Sequence, residues 1–236
     1  MYLDRAGIAG EDGPTHHGMF DIAYLRTFPN IVLISPKDDA EMHLALEFAL
    51  AHDGPVAIRG ARENVPDYSD FSFDRNPLQL GKGEILVSGK DGAILAYGVM
   101  VFYALKARQY LKKFGIDVTV ANARFAKPID SELVNALIEN HPFVLTVEDH
   151  SYQGGFGSAV LECAALNGFN ISKLKLLAGP DTFIEHGSRF ELLELLGLDE
   201  KGIMDVCKYL HENPSAGTEI FIGGKYVHKY AIIAQS

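Results

Sequence analysis

Short apolar runs alternate with helical patterns of hydrophobic residues along most of the chain. In its first part, "NIVLIS" and "PVAIR" are continuous apolar runs, which are typical of strands buried on both faces of a parallel sheet. Between them, residues 35–54 have apolar positions at helical spacing, with Ser35 expected as N-cap and Pro36 as the first helical residue. A shorter helix is predicted over residues 19–25. Residues 1–64 are thus predicted to contain two strands and two helices.

The alternation of strand and helix patterns stops over residues 65–80, where polar, aromatic and proline-containing sequence predicts a linker. Alternation resumes over residues 81–213. There "EILVS" and "AILAY" flank the turn-forming "GKDG" and predict a hairpin. Further strands, "DVTVAN", "FVLTVE" and "KLKLL", are separated by helical patterns, which predicts parallel βαβ units. Residues 214–236 contain two short apolar runs around a Gly-Gly pair and are expected to form an appended hairpin or tail.

The two units differ in completeness. A parallel sheet needs both of its faces covered and its edges protected, which two strands do not achieve alone. The fold class is therefore α/β, with an incomplete first unit (residues 1–64) followed by a complete second domain (residues 81–213) with a parallel-rich sheet. We expect the first unit to be the end of a domain whose beginning is absent.

Composition narrows the class of protein. The 236 residues are 47% hydrophobic and carry a net charge of −10, without a cluster of Lys and Arg. This argues against nucleic acid as a partner, because phosphate backbones need clustered cations. Cys163 and Cys207 lie in helical patterns and are interpreted as reduced core residues. Without a signal peptide or an apolar run near the roughly 18 residues of a membrane span, a cytoplasmic location is expected.

One short loop contains several titratable side chains. "GEDGPTHHG", residues 10–18, combines turn-forming residues with two acids and two histidines. His16 and His17 are adjacent and point in different directions, so they are poorly spaced as metal ligands. An imidazole here could act as a general acid or hydrogen-bond donor towards a carbonyl. From spacing alone, that hypothesis and a solvated surface turn remain equally open.

A family resemblance favours the functional interpretation. "DRAGIAGEDGPTHHGMFDIAYLRTFPNIVLISPKDDAE" resembles the pyrimidine-binding domain of 1-deoxy-D-xylulose-5-phosphate synthases, which are thiamine-diphosphate-dependent relatives of transketolase. "GEDGPTH" is shared with transketolases, whereas "DRAG" and "FDIAYLRTFPN" are similar to the synthases. The resemblance continues through "HDGPVAIR", "VANARFAKPID", "TVEDHSYQGGFGSAV" and "GLDEKGI", in collinear order over residues 3–212. It implies a pyrimidine-binding fragment followed by a transketolase C-terminal domain.

The resemblance also implies a reaction and a site. The complete enzyme would condense pyruvate with glyceraldehyde 3-phosphate and release CO2, in isoprenoid precursor synthesis. Thiamine diphosphate would stabilise the carbanion intermediate of this reaction. His16 would donate a hydrogen bond to the aldehyde oxygen of the acceptor, and Asp12 would hold substrate hydroxyls or orient the loop. Arg5 and Arg62 would bind the phosphate of the acceptor, which suits guanidinium geometry.

Two differences from the family pattern limit how far these roles can be assigned to this chain. The family reads Arg-Tyr-Pro-Arg-Gly where this chain has Arg59-Gly60-Ala61-Arg62-Glu63, so a carboxylate is expected beside the phosphate ligand. The Gly-Asp-Gly motif for magnesium diphosphate does not occur, and neither does the glutamate that activates the aminopyrimidine. This chain alone is therefore expected to bind neither thiamine diphosphate nor Mg²⁺.

A second glycine-rich segment, "EDHSYQGGFGSAV", follows a predicted strand and opens a helix. That layout can cradle a phosphate or can serve close packing of strand and helix, and we favour packing. His150 is interpreted as a satisfied loop histidine near an interface. In the resembled family this domain supports the dimer and holds no cofactor.

Three functional hypotheses remain. The chain is a fragment or separately encoded subunit of a transferase of this type, inactive without a partner that carries the diphosphate site. Alternatively, it is a truncated, non-catalytic dimerisation or regulatory paralogue. The third hypothesis is the C-terminal subunit of a split transketolase or a β subunit of a 2-oxo acid dehydrogenase, against which "DRAG" and "FDIAYLR" argue.

Overall fold

A computed structural model describes residues 1–64, 66–73, 76–213, 217–222 and 225–226 of the chain. Within these ranges, two β-sheets are packed against helices. The strands are β1 (Tyr2–Ala6), β2 (Val32–Ile34), β3 (Val56–Ala61), β4 (Glu84–Val87), β5 (Ala93–Ala96), β6 (Thr119–Asn122), β7 (Phe125–Lys127), β8 (Val144–Ser151), β9 (Leu174–Gly179), β10 (Glu219–Ile222) and β11 (Lys225–Tyr226). The helices are α1 (Asp21–Leu25), α2 (Asp39–Ala51), α3 (Met100–Lys112), α4 (Ser131–Asn140), α5 (Phe156–Leu166), α6 (Arg189–Leu195) and α7 (Glu200–Glu212).

The first sheet has the strand order β1-β3-β2-β7. Its first three strands are parallel, and β7 is antiparallel to β2 with Leu33 opposite Lys127. The prediction of only two strands for this unit was wrong. The edge strand β1 lacks a continuous apolar run, since exposed and half-buried residues alternate along it, and β7 has only three residues and comes from the second half of the chain. The two units are thus joined through a shared sheet.

The second sheet has the order β11-β10-β9-β8-β5-β6-β4. Neighbouring strands from β10 to β6 pair in parallel, as the alternation of strands and helices predicted. The predicted hairpin of β4 and β5 was wrong, because β6 lies between them. The fully buried strand β5 takes a central position, whereas the partly exposed β4 pairs antiparallel with β6 at the edge. Burial has therefore overridden the local turn signal.

Helix α2 begins later than its sequence predicted. Asp38 is the N-cap, and its Oδ1 accepts a hydrogen bond from the backbone N–H of Glu41 at 2.7 Å. Ser35, the predicted cap, continues the line of β2 instead, and its N–H donates to the carbonyl of Arg124 at 3.0 Å. An aspartate side chain at the N-cap satisfies an N–H that the first helical turn would otherwise leave unpaired.

A buried polar cluster lies between the two units. The carboxylate of Glu41 on α2 accepts hydrogen bonds from Asn122 Nδ2 at 2.9 Å and from Arg124 Nε at 2.8 Å, and Lys37 Nζ is 3.3 Å away. Burial opposes ionisation of Glu41, but Lys37 and Arg124 hold its pKa below the usual value. The paired charge therefore fixes α2 against the turn that leads from β6 to β7.

The described part of the predicted linker contacts both units, since Tyr68 Oη donates to the carbonyl of Lys37 at 3.1 Å, and the described part of the tail belongs to the second unit. In residues 66–73, Tyr68 packs edge-on against Phe102 of α3, with ring centroids 5.3 Å apart. In the tail, β10 extends the second sheet and pairs with β11. Parts of both predicted segments, residues 65, 74–75, 214–216, 223–224 and 227–236, lie outside the described residues.

Two further sequence expectations concern the core and membranes. Cys207 on α7 is fully buried, and burial raises the pKa of its thiol; Cys163 on α5 is partly exposed. Among the helices that the structure describes, none combines the length and apolar character that crossing a bilayer requires.

Candidate functional site

The loop that follows β1 returns to the strand from which it leaves. The N–H of Gly18 donates to the carbonyl of Arg5 at 3.0 Å, and the N–H of Gly7 donates to the carbonyl of Gly18 at 2.9 Å. A Cβ at position 18 would collide with that Arg5 carbonyl, so the close approach of the two backbones requires glycine. A 3-10 turn over Gly10–Asp12 then gives the loop a fixed shape.

The two adjacent histidines have different environments. His17 is buried, and its Nδ1 accepts a hydrogen bond from the N–H of Ala9 at 2.9 Å. His16 is exposed, and its Nδ1 lies 2.9 Å from Thr15 Oγ1. His17 therefore braces the loop, whereas the ring of His16 is open to solvent.

Arg5, Asp12 and Arg62 meet at the mouth of this loop. Arg5 Nε donates to Asp12 Oδ2 at 2.8 Å, and Arg62 Nη1 forms an ion pair with the same oxygen atom. The three side chains are 37%, 25% and 46% exposed respectively. The structure thus brings together two arginines that are 57 positions apart in sequence, in a place that a solute anion can reach.

Arg5 has an unusual backbone. Its φ is 60°, in the left-handed region, where the register of β1 against β3 shifts between Leu3 and Ala6. Non-glycine residues adopt this conformation at an energetic cost, and such residues concentrate at functional sites. Asn30 and Arg124 share this conformation, with φ of 58° and 59°.

Glu63 does not lie against Arg62 as expected from the sequence. Its Oε1 accepts a hydrogen bond from Tyr103 Oη at 2.6 Å, and its Oε2 accepts one from Arg189 Nε at 3.0 Å. Arg189 also donates to Asp149 Oδ2 at 2.9 Å. Burial opposes the charge of Arg189, but Asp149 and Glu63 hold its pKa above the usual value. Arg189 therefore balances the charge of Glu63, and Glu63 does not pair with Arg5 or Arg62.

Arg189 was missed in the sequence analysis, and no motif around it signals its role. It begins α6, and its Nη1 also donates to the carbonyl of Ile8 in the loop. Together with Arg62, Glu63 and Tyr103 it lines an open groove of about 660 Å³ beside the arginine pair. The second unit thus forms one wall next to the site.

The second glycine-rich segment has no room for a phosphate at its helix. Glu148 on β8 is buried, and its two carboxylate oxygens accept the N–H groups of Phe156 and Gly157 at 2.6 and 2.7 Å. This internal carboxyl group caps α5, which supports packing rather than a phosphate cradle. Burial, opposed by these two hydrogen bonds, raises the pKa of Glu148 to about 8.

His150 is a core residue of β8 rather than a loop residue. Its Nε2 accepts the N–H of Ile22 at 3.2 Å, and its Nδ1 donates to the carbonyl of Ser151 at 2.7 Å. Burial, with the charge of Arg59 nearby, lowers the pKa of His150 to about 4. The ring is neutral, and both of its nitrogen atoms have a hydrogen-bond partner, which confirms the prediction of a satisfied histidine; the predicted place in a loop was wrong, because His150 lies in β8.

Arg59, the first arginine of the altered segment, is fully buried. It forms two hydrogen bonds to Asp21 on α1, at 2.7 and 3.0 Å, and its Nη2 donates to the carbonyl of Gly18. Its guanidinium lies 5.6 Å from the ring centre of Tyr97. Arg59 therefore anchors the base of the loop, and Arg62 is the arginine of this segment that faces solvent.

Comparison with known families gives matches over both units. The family described as "Transketolase, C-terminal domain" matches residues 81–203, and "Transketolase, pyrimidine binding domain" matches residues 1–67. The chain belongs to the transketolase family. These matches confirm the predicted fold class, with a pyrimidine-binding fragment followed by a transketolase C-terminal domain in mixed, parallel-rich sheets.

Curated proteins that are similar to this chain are named as synthases. "1-Deoxy-D-xylulose-5-phosphate synthase 1" of Geobacter metallireducens is 47% identical over 203 residues, which cover 85% of this chain and 32% of the relative. The corresponding protein of Geobacter sulfurreducens is 42% identical over 94% of this chain and 33% of the relative. The resemblance to the synthases is thus confirmed, and the chain spans about a third of their length.

Similar solved structures are transketolases. A split gene transketolase, described as an inactive β4 tetramer, is 30% identical with a TM-score of 0.79, and the match covers 91% of this chain and 67% of that one. The transketolase of Campylobacter jejuni is 21% identical with a TM-score of 0.67, covering 88% of this chain and 31% of that one, and supports the fold alone.

Thiamine diphosphate is the cofactor that this family implies for the full enzyme. Among the residues that the structure describes, no three or more His, Cys, Asp or Glu side chains lie close enough together to hold a metal ion. The N-terminus of α5, which follows the glycine-rich segment, is occupied by Glu148. That helix N-terminus therefore has no N–H groups of Phe156 and Gly157 left to bind a diphosphate.

Proposed function

We propose that this chain supplies the acceptor side of a thiamine-diphosphate-dependent synthase. The complete enzyme would condense pyruvate with glyceraldehyde 3-phosphate, releasing CO2, to give 1-deoxy-D-xylulose 5-phosphate. The convergence of Arg5 and Arg62 at the mouth of the loop that carries the exposed His16 supports this proposal most directly. The names of the curated relatives support the choice of substrates.

Each site residue has a role that its surroundings allow. Arg5 and Arg62 bind the phosphate of the acceptor, because guanidinium groups present paired N–H donors to phosphate oxygens. His16 donates a hydrogen bond to the aldehyde oxygen, which stabilises negative charge as the new bond forms. Asp12 orients both arginines, which its ion pairs support more directly than contact with substrate hydroxyls.

The remaining two thirds of such an enzyme would bring thiamine diphosphate and Mg²⁺. In this proposal residues 1–64 form the end of the pyrimidine-binding domain, 65–80 the linker, 81–213 the C-terminal domain and 214–236 a tail. The isolated chain is inactive and binds no cofactor, and it acts in the cytoplasm as part of a dimer.

An exchange experiment tests this function. The matching C-terminal third of the Geobacter metallireducens synthase is replaced by this chain, and product formation from pyruvate and glyceraldehyde 3-phosphate is measured. We expect activity above that of the same chimera carrying Arg62→Ala. A chimera that is folded, by circular dichroism and thermal denaturation, yet inactive would contradict the proposal and favour the non-catalytic paralogue.

A separately encoded subunit is the second candidate. The structural likeness to a split gene transketolase over 91% of this chain favours it. Affinity purification of this chain from its source cells, followed by intact-mass measurement, separates the two arrangements. A mass near that of the chain together with a co-purified second protein would support a split enzyme, and a single much larger mass would support one polypeptide.

A further inference from the structure

The proposed phosphate site contains an anion that belongs to the protein. One oxygen atom, Asp12 Oδ2, accepts hydrogen bonds from Arg5 Nε and Arg62 Nη1. A bound phosphate would need these same two guanidinium groups as donors. The carboxylate of Asp12 and an incoming phosphate therefore compete for one position.

We infer that Asp12 is an internal competitor that closes the phosphate site until a phosphate monoester displaces it. The inference rests on the proposed function of Arg5 and Arg62 and adds the regulation of that site. The role of Asp12 in orienting the two arginines then belongs to the resting site, before phosphate enters. Phosphate binding and release of the Asp12 carboxylate are then one event.

Charge favours this exchange over simple addition. Asp12 balances one of the two positive charges, and the exposed Asp4 pairs with Arg5 Nη1 at 2.7 Å, so the resting cluster has no net charge. A phosphate monoester carries close to two negative charges at neutral pH and offers several acceptor oxygens. Its entry beside a retained Asp12 would leave the cluster strongly negative.

The surroundings leave space for the exchange. Asp12 is 25% exposed and is reached from solvent, and the groove next to Arg62 is open. Arg62 lies just after the end of β3, and its side chain is 46% exposed. In contrast, Arg59 in the same segment is locked to the buried Asp21 and cannot serve as a replacement partner.

Glu63 gives a matched control. It is the residue next to Arg62 and carries the same charge as Asp12, but its two oxygens are bound by Tyr103 and Arg189. A general effect of removing negative charge would appear in both Asp12→Asn and Glu63→Gln. Competition for the arginine pair would appear only in Asp12→Asn.

The experiment is a calorimetric titration of the isolated full chain with inorganic phosphate at constant ionic strength, which measures the affinity for phosphate. Asp12→Asn is expected to tighten phosphate binding by roughly tenfold to a hundredfold, the scale of charge-assisted hydrogen bonds that no longer have to be broken. Glu63→Gln is expected to change it by less than about twofold, because its partners lie outside the exchange. Adding Arg62→Ala to Asp12→Asn should remove the gain.

A measurement on the unaltered chain keeps the inference testable if Asp12→Asn does not fold. Phosphate should shift the NMR resonance of the Asp12 carboxyl carbon together with that of the Arg62 guanidinium. Binding that depends on Arg62 but leaves the Asp12 resonance, or the affinity of Asp12→Asn, unchanged would overturn the inference alone. Loss of phosphate binding in every variant, or binding insensitive to Arg62→Ala, would overturn the phosphate site itself as well.

Discussion

Asp21→Asn is expected to destabilise the chain more than a single polar substitution usually does. Arg59 is 2% exposed, and both of its hydrogen bonds to Asp21 are shorter than or equal to 3.0 Å. An asparagine retains one acceptor but places its NH2 group against the guanidinium, so a buried positive charge loses its counterion. Breaking a buried pair in this way costs about 3–5 kcal/mol of unfolding free energy. That is a large fraction of the roughly 5–15 kcal/mol that stabilises a typical folded protein.

Urea denaturation, monitored by circular dichroism, measures this loss of unfolding free energy directly. The melting temperature should fall by roughly 6–20 °C, because a chain of this size loses about 2–4 °C per kcal/mol. The control is Asp4→Asn, which removes an exposed ion pair with Arg5 and should cost less than about 1 kcal/mol. Adding Arg59→Met to Asp21→Asn should recover part of the loss, since it removes the unpaired charge. Equal, small losses in Asp21→Asn and Asp4→Asn would refute the reasoning.

Three other predictions concern pH and catalysis. The folded state holds the pKa of His150 near 4, below its ordinary 6.5, so the unfolded state binds the proton more readily and stability is lost as pH falls from about 6.5 to 4. The unfolding free energy of the wild type relative to His150→Asn should therefore drop by about 3 kcal/mol across that window in a pH series of urea titrations, and a pH-independent difference would contradict a neutral buried ring. In the assembled enzyme, Arg5→Ala should weaken the use of glyceraldehyde 3-phosphate, measured as kcat/KM, by about 1.5–3 kcal/mol, the scale of a hydrogen bond to a charged group; unchanged kinetics would remove Arg5 from the phosphate site. His16→Ala should lower kcat by about 10²–10⁴ with a folded protein, and a fall below threefold would leave His16 without a catalytic role.

The general architecture was predictable because buried parallel strands have an unmistakable pattern. The strands β2 and β5 are apolar throughout, and β3 and β8 each begin with a short, mostly apolar run before their polar residues. Strand pairing was less predictable, because the turn signal between β4 and β5 is local whereas the position of β6 depends on the whole sheet. The short strand β7 carries no signal of its own and is defined by its pairing with β2.

The site shows a similar division. The loop with Asp12 and His16 was found from its unusual composition and from the family resemblance. The ion pairs of Asp12 with Arg5 and Arg62 could not be predicted, since they depend on where β1 and β3 end in space. Glu63 was expected beside Arg62 because the two are neighbours in sequence, but successive residues after a strand project in different directions. Arg189 lies 126 positions from Glu63, and only folding brings them together.

The position of β7 has a consequence for how the molecule comes apart. A protease that cuts between residues 66 and 73 would divide the chain into two pieces, yet the piece that begins after the cut still supplies a strand to the sheet of the other. The buried contacts of Glu41 with Asn122 and Arg124 cross the same division. The nicked pieces should therefore stay associated through gel filtration and melt in one transition, because the segment between the two units interrupts the alternation of strands and helices but not the cooperativity of folding.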